Sequence, residues 1–478
     1  MSTIVGPSLI ELQTRQRLAE RAMVLLAQRG LYGGLLEDAA GTANVGTEQA
    51  RIFFRRDEDL VIALHERLAG DFENSIADLP PGTLAERFEG AMRLRFEHLA
   101  PYRLALTKLM PVLLQPESEH GVFSRHTETV RIRVRAVFAA AVLGASDAPS
   151  PSLADALARV LYALHLGLLL LWIQDQSENF IATKAVLALG RDLLNLAGPL
   201  SAFPAATHLL ANTGAVLQPW LDRPADGRTV EQTERILRTL FRHRRLLPGA
   251  GACANEPCNQ CIALHSGRVQ RFASAGLPIH LVLPAFPAKS PSLRKVLGRS
   301  PDRAEELAIE HLATMCDEIR AIYPPGARVT MCSDGRVFGD LVGVADDDIT
   351  DYGRELRRMI QGIGSQDIDT FCSEDLFDLP SFDAIRHHLV EHYAEPIERV
   401  RSRSDEHPHH RALWSGIQRF LFEDRSAIDP GKSRTQLRKA CGSTAHEVIR
   451  RSNAWTRVIA ECFPTALRLS IHPQPAHS

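Results

Sequence analysis

The segment ARVTMCSDGRVFGD contains the turn Ser333-Asp334-Gly335-Arg336, whose side-chain types suit the handling of a charged, proton-losing substrate. ARVTMCSDG reads as a buried strand entering a tight turn, so the turn's side chains emerge at the strand's carboxyl end, and Gly335 permits the sharp bend. Arg336 offers a planar fork to a carboxylate or phosphate, while Asp334 or Asp340 can serve as general base or hold an ammonium group. A structural Asp–Arg pair closing the turn is the competing reading. Lys289 follows another short strand in LPAFPAKSP, where prolines stiffen the loop, and an ammonium there can pair with phosphate. Ser290, Arg294 and Lys295 follow it and, with Ser333, complete a candidate substrate and phosphate site; charges at a helix start are also commonly just exposed. Arg468 and His472, in ALRLSIH, alternate with apolar residues and so share one face of an expected strand, where a bonded core histidine is the alternative. Cys253, Cys258, Cys261 and His265 form C-x4-C-x2-C-x3-H, enough thiolates and imidazole for a tetrahedral structural zinc. The spacing is not a familiar finger spacing, so these four are equally readable as small packing groups.

These residues must be positioned by more than one domain's worth of chain. At 478 residues the length exceeds what a single core usually serves, and 45% apolar with 23% charged residues describes an ordinary globular protein. With 55 basic against 57 acidic residues the net charge is -2, which excludes a global attraction to nucleic acid or anionic membrane. All eight cysteines lie at or beyond Cys253, so the two halves differ in kind. In a reducing compartment the clustered ones are metal ligands or core residues rather than disulfides. The opening MSTIVGPSLIELQTRQR has no basic start followed by an apolar run, and the most apolar stretch, 160–173, is short for a bilayer; a cytoplasmic protein without a membrane span is expected.

From Glu11 to about Gly198 apolar residues recur at helical spacing. Pro- and Gly-rich stretches around 200–250 mark a boundary. Beyond it, PIHLVLPAF reads as a strand, Arg303 to Ile322 as a helix, and Thr350 to Ile360 as another helix, the alternation of a parallel α/β sheet.

The order of a helix ending in QRGLYG, a short helix LEDAAGTANV and a third running into FFRRDEDLVIAL resembles the DNA-binding part of TetR-like regulators. That resemblance implies a helix-turn-helix-like segment over residues 1–65 and a ligand or dimerisation region over 66–200. Arg51, Arg55 and Arg56 are the candidate DNA contacts. Arg51 and Asp57 stand where the family carries an aromatic residue and a lysine, and carboxylates there oppose phosphate, so a helical domain kept for dimerisation or docking is the favoured reading.

The blocks LPAFPAKSPSLRKVLGRSPDRAEELA, RVTMCSDGRVFGDLVGVADDDITDYGREL and TAHEVIRRSNAWTRVIAECFPTALRLSIHPQ resemble the pyoverdine/dityrosine biosynthesis family that includes the isonitrile synthases. The resemblance implies an enzyme that builds an isonitrile on the amino group of L-tyrosine or L-tryptophan, with the carbon taken from the keto carbon of ribulose 5-phosphate. Lys289 would then assist at a phosphate or ketone. No redox cofactor is implied, and an iron and 2-oxoglutarate oxygenase is the expected pathway partner. The family usually continues beyond RLSIHPQ, whereas this sequence stops at PAHS, which puts full activity in question. The expected fold class is therefore multidomain: an all-α TetR-like amino-terminal domain, a linker with a helix over 201–250, and, over 251–478, an α/β domain with a largely parallel, Rossmann-like sheet. A homodimer is the expected assembly, and a regulator whose synthase-like half acts as a sensor is the alternative function.

Overall fold

A computed structural model describes residues 9–474, apart from 116, 119, 125, 150, 201–203, 222–226, 247–256 and 429–432. The chain divides into two compact units, one built mainly from residues 14–238 with 246–271, the other mainly from 239–245 with 272–474.

The first unit is helical among its described residues. Its helices Leu9–Arg29, Leu35–Thr42, Thr47–Phe53 and Asp57–Asn74 close one apolar core around Leu18, Leu26, Leu35, Leu60 and Leu64. A second core gathers Phe72, Phe88, Phe138, Leu161 and Leu168 from helices Asp57–Asn74, Leu84–Leu99, Glu128–Leu143 and Pro151–Gln174. The short helix Leu35–Thr42 is capped from outside its own segment: the Asp57 carboxylate accepts from Gly34 N (3.0 Å) and Leu36 N (2.7 Å), satisfying amides at the helix start. Asp57, which stands where the TetR-like pattern has a lysine, is thus a structural cap. Arg51 pairs with Glu37 at 2.8 Å and Arg56 Nη2 meets His120 Nε2 at 3.0 Å, while Arg55 is exposed.

The apolar stretch judged short for a bilayer belongs to a longer helix. Leu153–Gln174, of mean hydropathy 1.9, is long and apolar enough to cross a membrane, but half of its apolar window is buried inside this unit. Leu161, His165, Leu168 and Trp172 are among its buried residues, which marks it as a core helix. The stretch read as linker holds the helices Pro204–Leu221 and Gly227–Arg242.

The second unit is built on a four-stranded sheet of order β3-β2-β1-β4, all parallel, with β1 Ile279–Pro284, β2 Ala327–Cys332, β3 Ile368–Phe371 and β4 Leu467–Arg468. Strands β1 and β2 pair over their whole length, from Ile279 opposite Ala327 to Pro284 opposite Cys332. The chain runs β1, β2, β3 outward in one direction and then returns to place β4 on the other side of β1. The order therefore reverses between β1 and β4, and clefts at the carboxyl ends beside such a reversal are the usual ligand sites of parallel sheets. Under the sheet, Phe371 stacks on Trp455 (centroids 5.6 Å, 10° between planes) and meets Phe463 edge to face.

The helix Arg303–Ile322 falls where the apolar spacing places it, started by the capping box of Asp302 and Glu305. The helix expected from Thr350 begins earlier, at Asp346, because three successive carboxylates, Asp346, Asp347 and Asp348, occupy its positively polarised first turn. β4 is shorter than expected. It ends at Arg468, and His472 lies beyond it on an exposed bend, so the two do not share a strand face.

Candidate active site

The turn after β2 carries a buried carboxylate that its surroundings leave partly unanswered. Asp334 sits at the carboxyl end of β2 as the residue preceding helix Gly335–Val342, and makes no side-chain cap bond there. Its Oδ1 is buried without a hydrogen-bond partner among the described residues. Burial pushes the Asp334 carboxyl up to about 6, with the positive charge of Arg468 on β4 offsetting part of that rise. A carboxyl of this kind is half ionised close to neutrality, which suits proton transfer. Arg468 is exposed and donates to Thr456 Oγ1 at 3.0 Å. The pair spans the reversal between β2 with β1 on one side and β4 on the other.

Gly335 has a different job from the one its place in the turn suggests. Its φ is not positive. A Cβ there would lie 1.9 Å from the Pro287 carbonyl oxygen, so glycine is required because the loop after β1 passes directly over it. The same loop is tied down by Ser333 Oγ, which donates to Phe286 O at 3.1 Å. Phe286 holds a left-handed φ of 59°, a conformation that costs about 1–3 kcal/mol and must be enforced by its surroundings.

Arg336 is buried, 3% exposed, and its fork is spent inside the domain. Nε donates to Glu374 Oε1 (2.9 Å), Nη1 to Asp346 O (2.6 Å) and Oδ1 (2.9 Å), and Nη2 to Thr350 Oγ1, while the guanidinium lies 3.6 Å from the centroid of Phe382. It joins the turn after β2 to the helix after β3 and to the start of Asp346–Ile363. An Asp–Arg pair does exist here, but with Asp346 rather than Asp334. Arg386 extends the network, donating to the Arg336 carbonyl at 2.9 Å and pairing with Asp346 and Asp340. Asp340 is also held by Arg451 at 2.8 Å.

Lys289 is likewise paired. Its ammonium lies 3.0 Å from Asp302 Oδ2 and 2.6 Å from Glu305 Oε1, the two capping-box carboxylates, and the Tyr352 hydroxyl donates to Glu305 at 3.2 Å. Burial acts to lower the Lys289 pKa, but its bonds to Glu305 and Asp302 outweigh this and raise it. Lys295 reaches Asp424 at 2.7 Å and lies over the Phe420 ring at 4.0 Å, and Ser290 Oγ donates to Asp424 at 3.1 Å. Asp424, 2% exposed, is a residue that the sequence reading missed; nothing local distinguishes it from its neighbours in helix Pro408–Ile428. Arg294 is exposed on the loop.

Residues 269–478 match the model of the pyoverdine/dityrosine biosynthesis protein family. The chain is 47% identical over 246 residues to the L-tryptophan isonitrile synthase AmbI1 of Fischerella ambigua, covering 52% of this chain and 77% of that protein. It is 42% identical over 250 residues to an L-tyrosine isonitrile synthase of Pseudomonas aeruginosa, covering 51% and 76%. The chain belongs to the pyoverdine/dityrosine biosynthesis family. The PvcA protein of Pseudomonas aeruginosa, whose crystal structure is known, is 41% identical over 52% of this chain and 81% of its own, with a TM-score of 0.49. The carboxy-terminal half is accordingly an enzyme domain of this family, and all of Lys289, Asp334, Arg336, Asp340 and Arg468 fall within the matched residues.

Of the cysteine set just ahead of the family domain's first strand, Cys261 is buried and Cys258 part-buried, with their Sγ atoms 3.7 Å apart. Cys253 lies outside the described residues, and His265 is on the helix Asn259–Ala275 with Cys261. Among the described residues no group of three or more His, Cys, Asp or Glu is arranged to hold a metal ion.

Proposed function

We propose that the carboxy-terminal domain is an isonitrile synthase that converts the amino group of L-tryptophan or L-tyrosine into an isonitrile, with ribulose 5-phosphate supplying the carbon. The names of the relatives at 47% and 42% identity support isonitrile formation and the two side chains, and the resemblance of the three sequence blocks to the family supports ribulose 5-phosphate as carbon donor. The observation that carries the reading within this chain is the buried, unpartnered Asp334 Oδ1 at the carboxyl end of β2, facing the charge of Arg468 across the sheet's reversal.

Joining an amino nitrogen to a ketone carbon requires the ammonium to lose a proton before it attacks. Asp334 first holds the ammonium and then accepts that proton, and Arg468 pairs with the substrate carboxylate. Arg294 is the cation assigned to the sugar phosphate, because Lys289, Lys295 and Arg336 are already bound to carboxylates. Arg336 and Lys289 act as positioning residues: they hold the turn after β2 and the loop after β1 in register, so that Asp334 meets the substrate at a fixed distance.

The test is mass spectrometry of the full-length protein incubated with L-tryptophan or L-tyrosine and ribulose 5-phosphate labelled at the keto carbon. A labelled isonitrile with either amino acid is the expected result and also reveals the side-chain preference. No labelled product with either one overturns the proposal.

A further inference from the structure

The helical unit contains a cavity of about 520 Å³, within the usual range for a small-molecule site. Its wall is mostly aliphatic, from residues such as Leu106, Met110, Leu169 and Ile173, and none of its lining residues is Asp or Glu. Into this apolar space point several side chains that a folded protein normally satisfies. His165, Arg95 and Arg131 line the cavity and are 2%, 2% and 8% exposed. Neither ring nitrogen of His165 has a well-formed hydrogen bond, and the Nε of Arg95 and of Arg131 and the Nε2 of His65, another lining residue, are also buried without partners. The two guanidinium groups are not loose. Arg95 Nη1 donates to Leu68 O at 3.0 Å, and Arg131 Nη1 to Val122 O and Ser124 O at 2.7 Å, so both are anchored while the Nε–H of each is left without a partner. His165 is wedged between Phe138 and Tyr162, with ring centroids at 5.2 and 5.6 Å. Phe123 and Trp220 line the cavity too but are 49% and 63% exposed and meet edge to face at 6.0 Å, which marks its mouth.

An apolar chamber with fixed cations, unpaired donors and no carboxylate is incomplete without an acceptor. We propose that this cavity binds a small organic carboxylate with an aromatic or branched apolar body, its anionic oxygens taking the unpaired donors of Arg95, Arg131 and His165 and its body filling the aliphatic wall. The unit is then a ligand-binding module in its own right, and this assignment stands whether or not the synthase reading does. An aromatic 2-isocyano acid, the product proposed above, belongs to the same chemical class, and that extension alone rests on the synthase reading.

Calorimetry on the full-length protein tests this with indole-3-propanoate as probe, against indole-3-propanamide and tryptamine. The carboxylate is expected to bind at least tenfold more tightly than the amide, and tryptamine not at all. His165→Leu removes unpaired donors without leaving a void, so it should weaken the carboxylate at least tenfold with no fall in Tm. Gly167→Phe, at a lining position where an added Cβ meets nothing within 4 Å, should obstruct the cavity and weaken binding similarly if the histidine variant fails to fold. Unchanged affinity in the folded variants would place the carboxylate elsewhere in the chain and overturn the proposal, as would equal binding of tryptamine or no heat at millimolar probe.

Discussion

The loop after β1 and the turn after β2 each bring a charged residue to the same edge of the sheet, and they treat it in opposite ways. Lys289 arrives among prolines and is met by Asp302 and Glu305, with Tyr352 behind them. Asp334 arrives at the foot of a short helix and has one oxygen left buried with no partner. A matched charge holds a loop in place, and its removal is felt as lost stability. An unmatched one raises the energy of the folded state and leaves a group ready to react, so its removal is felt as lost chemistry. The two neighbours Asp334 and Arg336 repeat the contrast within three residues, since the guanidinium is saturated by Glu374, Asp346 and Thr350.

The sharpest test of that contrast is Asp334→Asn. Isonitrile formation should fall roughly 10²- to 10⁴-fold, the usual worth of a general base, while the protein keeps its fold. The sign of the stability change follows from linkage. With its pKa raised from the ordinary carboxylate value to about 6, Asp334 in the folded state holds its proton more tightly than in the unfolded chain. Its charge therefore costs stability as pH rises from about 4 through 6. The Asn variant should gain Tm relative to wild type at pH 7 but not at pH 4, and the wild-type rate should show an acid limb near pH 6. A variant that loses Tm at pH 7 with its activity intact would place Asp334 among the structural residues.

Gly335→Ala comes next. The Pro287 carbonyl cannot occupy the same space as a Cβ, so the loop after β1 must move away from the turn after β2. A displacement on the order of 1 Å at a reacting centre costs about 10²-fold in rate, and the overpacking should cost about 1–3 kcal/mol in denaturant unfolding. Turnover and stability both at wild-type levels would mean that the two loops are not held in register.

Lys289→Met should lower Tm, because Glu305 and the part-exposed Asp302 are left without their cation. Turnover of the variant that remains folded should fall less than that of Asp334→Asn, because Lys289 acts on the rate only through the position of the loop after β1. A large rise in KM for the sugar phosphate with stability unchanged would instead make Lys289 a substrate ligand and erase the contrast between the two loops. His472→Ala, on an exposed bend past β4, should change turnover by less than about twofold, in keeping with the small effect of surface substitutions.

Much of the second unit could be read along the chain. Period-two and period-3.6 apolar patterns place β1, β2 and the helix Arg303–Ile322, and the helix's Asp302–Glu305 box is a local signal. Asp334 and Lys289 accordingly lie beyond the carboxyl ends of parallel strands, where the pattern places them. The reach of β4 was not legible, because alternation in ALRLSIH satisfies the strand pattern whether or not a neighbour is present to bond with, and pairing to β1 covers only Leu467 and Arg468. In the helical unit, the amphipathic periodicity announces helices and an apolar core, but says nothing of an unfilled space among them.

The sequence by itself determined residue type, spacing and element: an acid at the end of a strand, a lysine between prolines, an arginine opening a helix, a histidine in an apolar run. Only the tertiary structure decided which of these charges is answered. Glu374 is 38 residues from Arg336, Asp424 is 134 from Ser290, and Arg468 is as far again from Asp334. Neutralisation is a short-range electrostatic matter of a few ångströms in space, and separation along the chain carries no information about it.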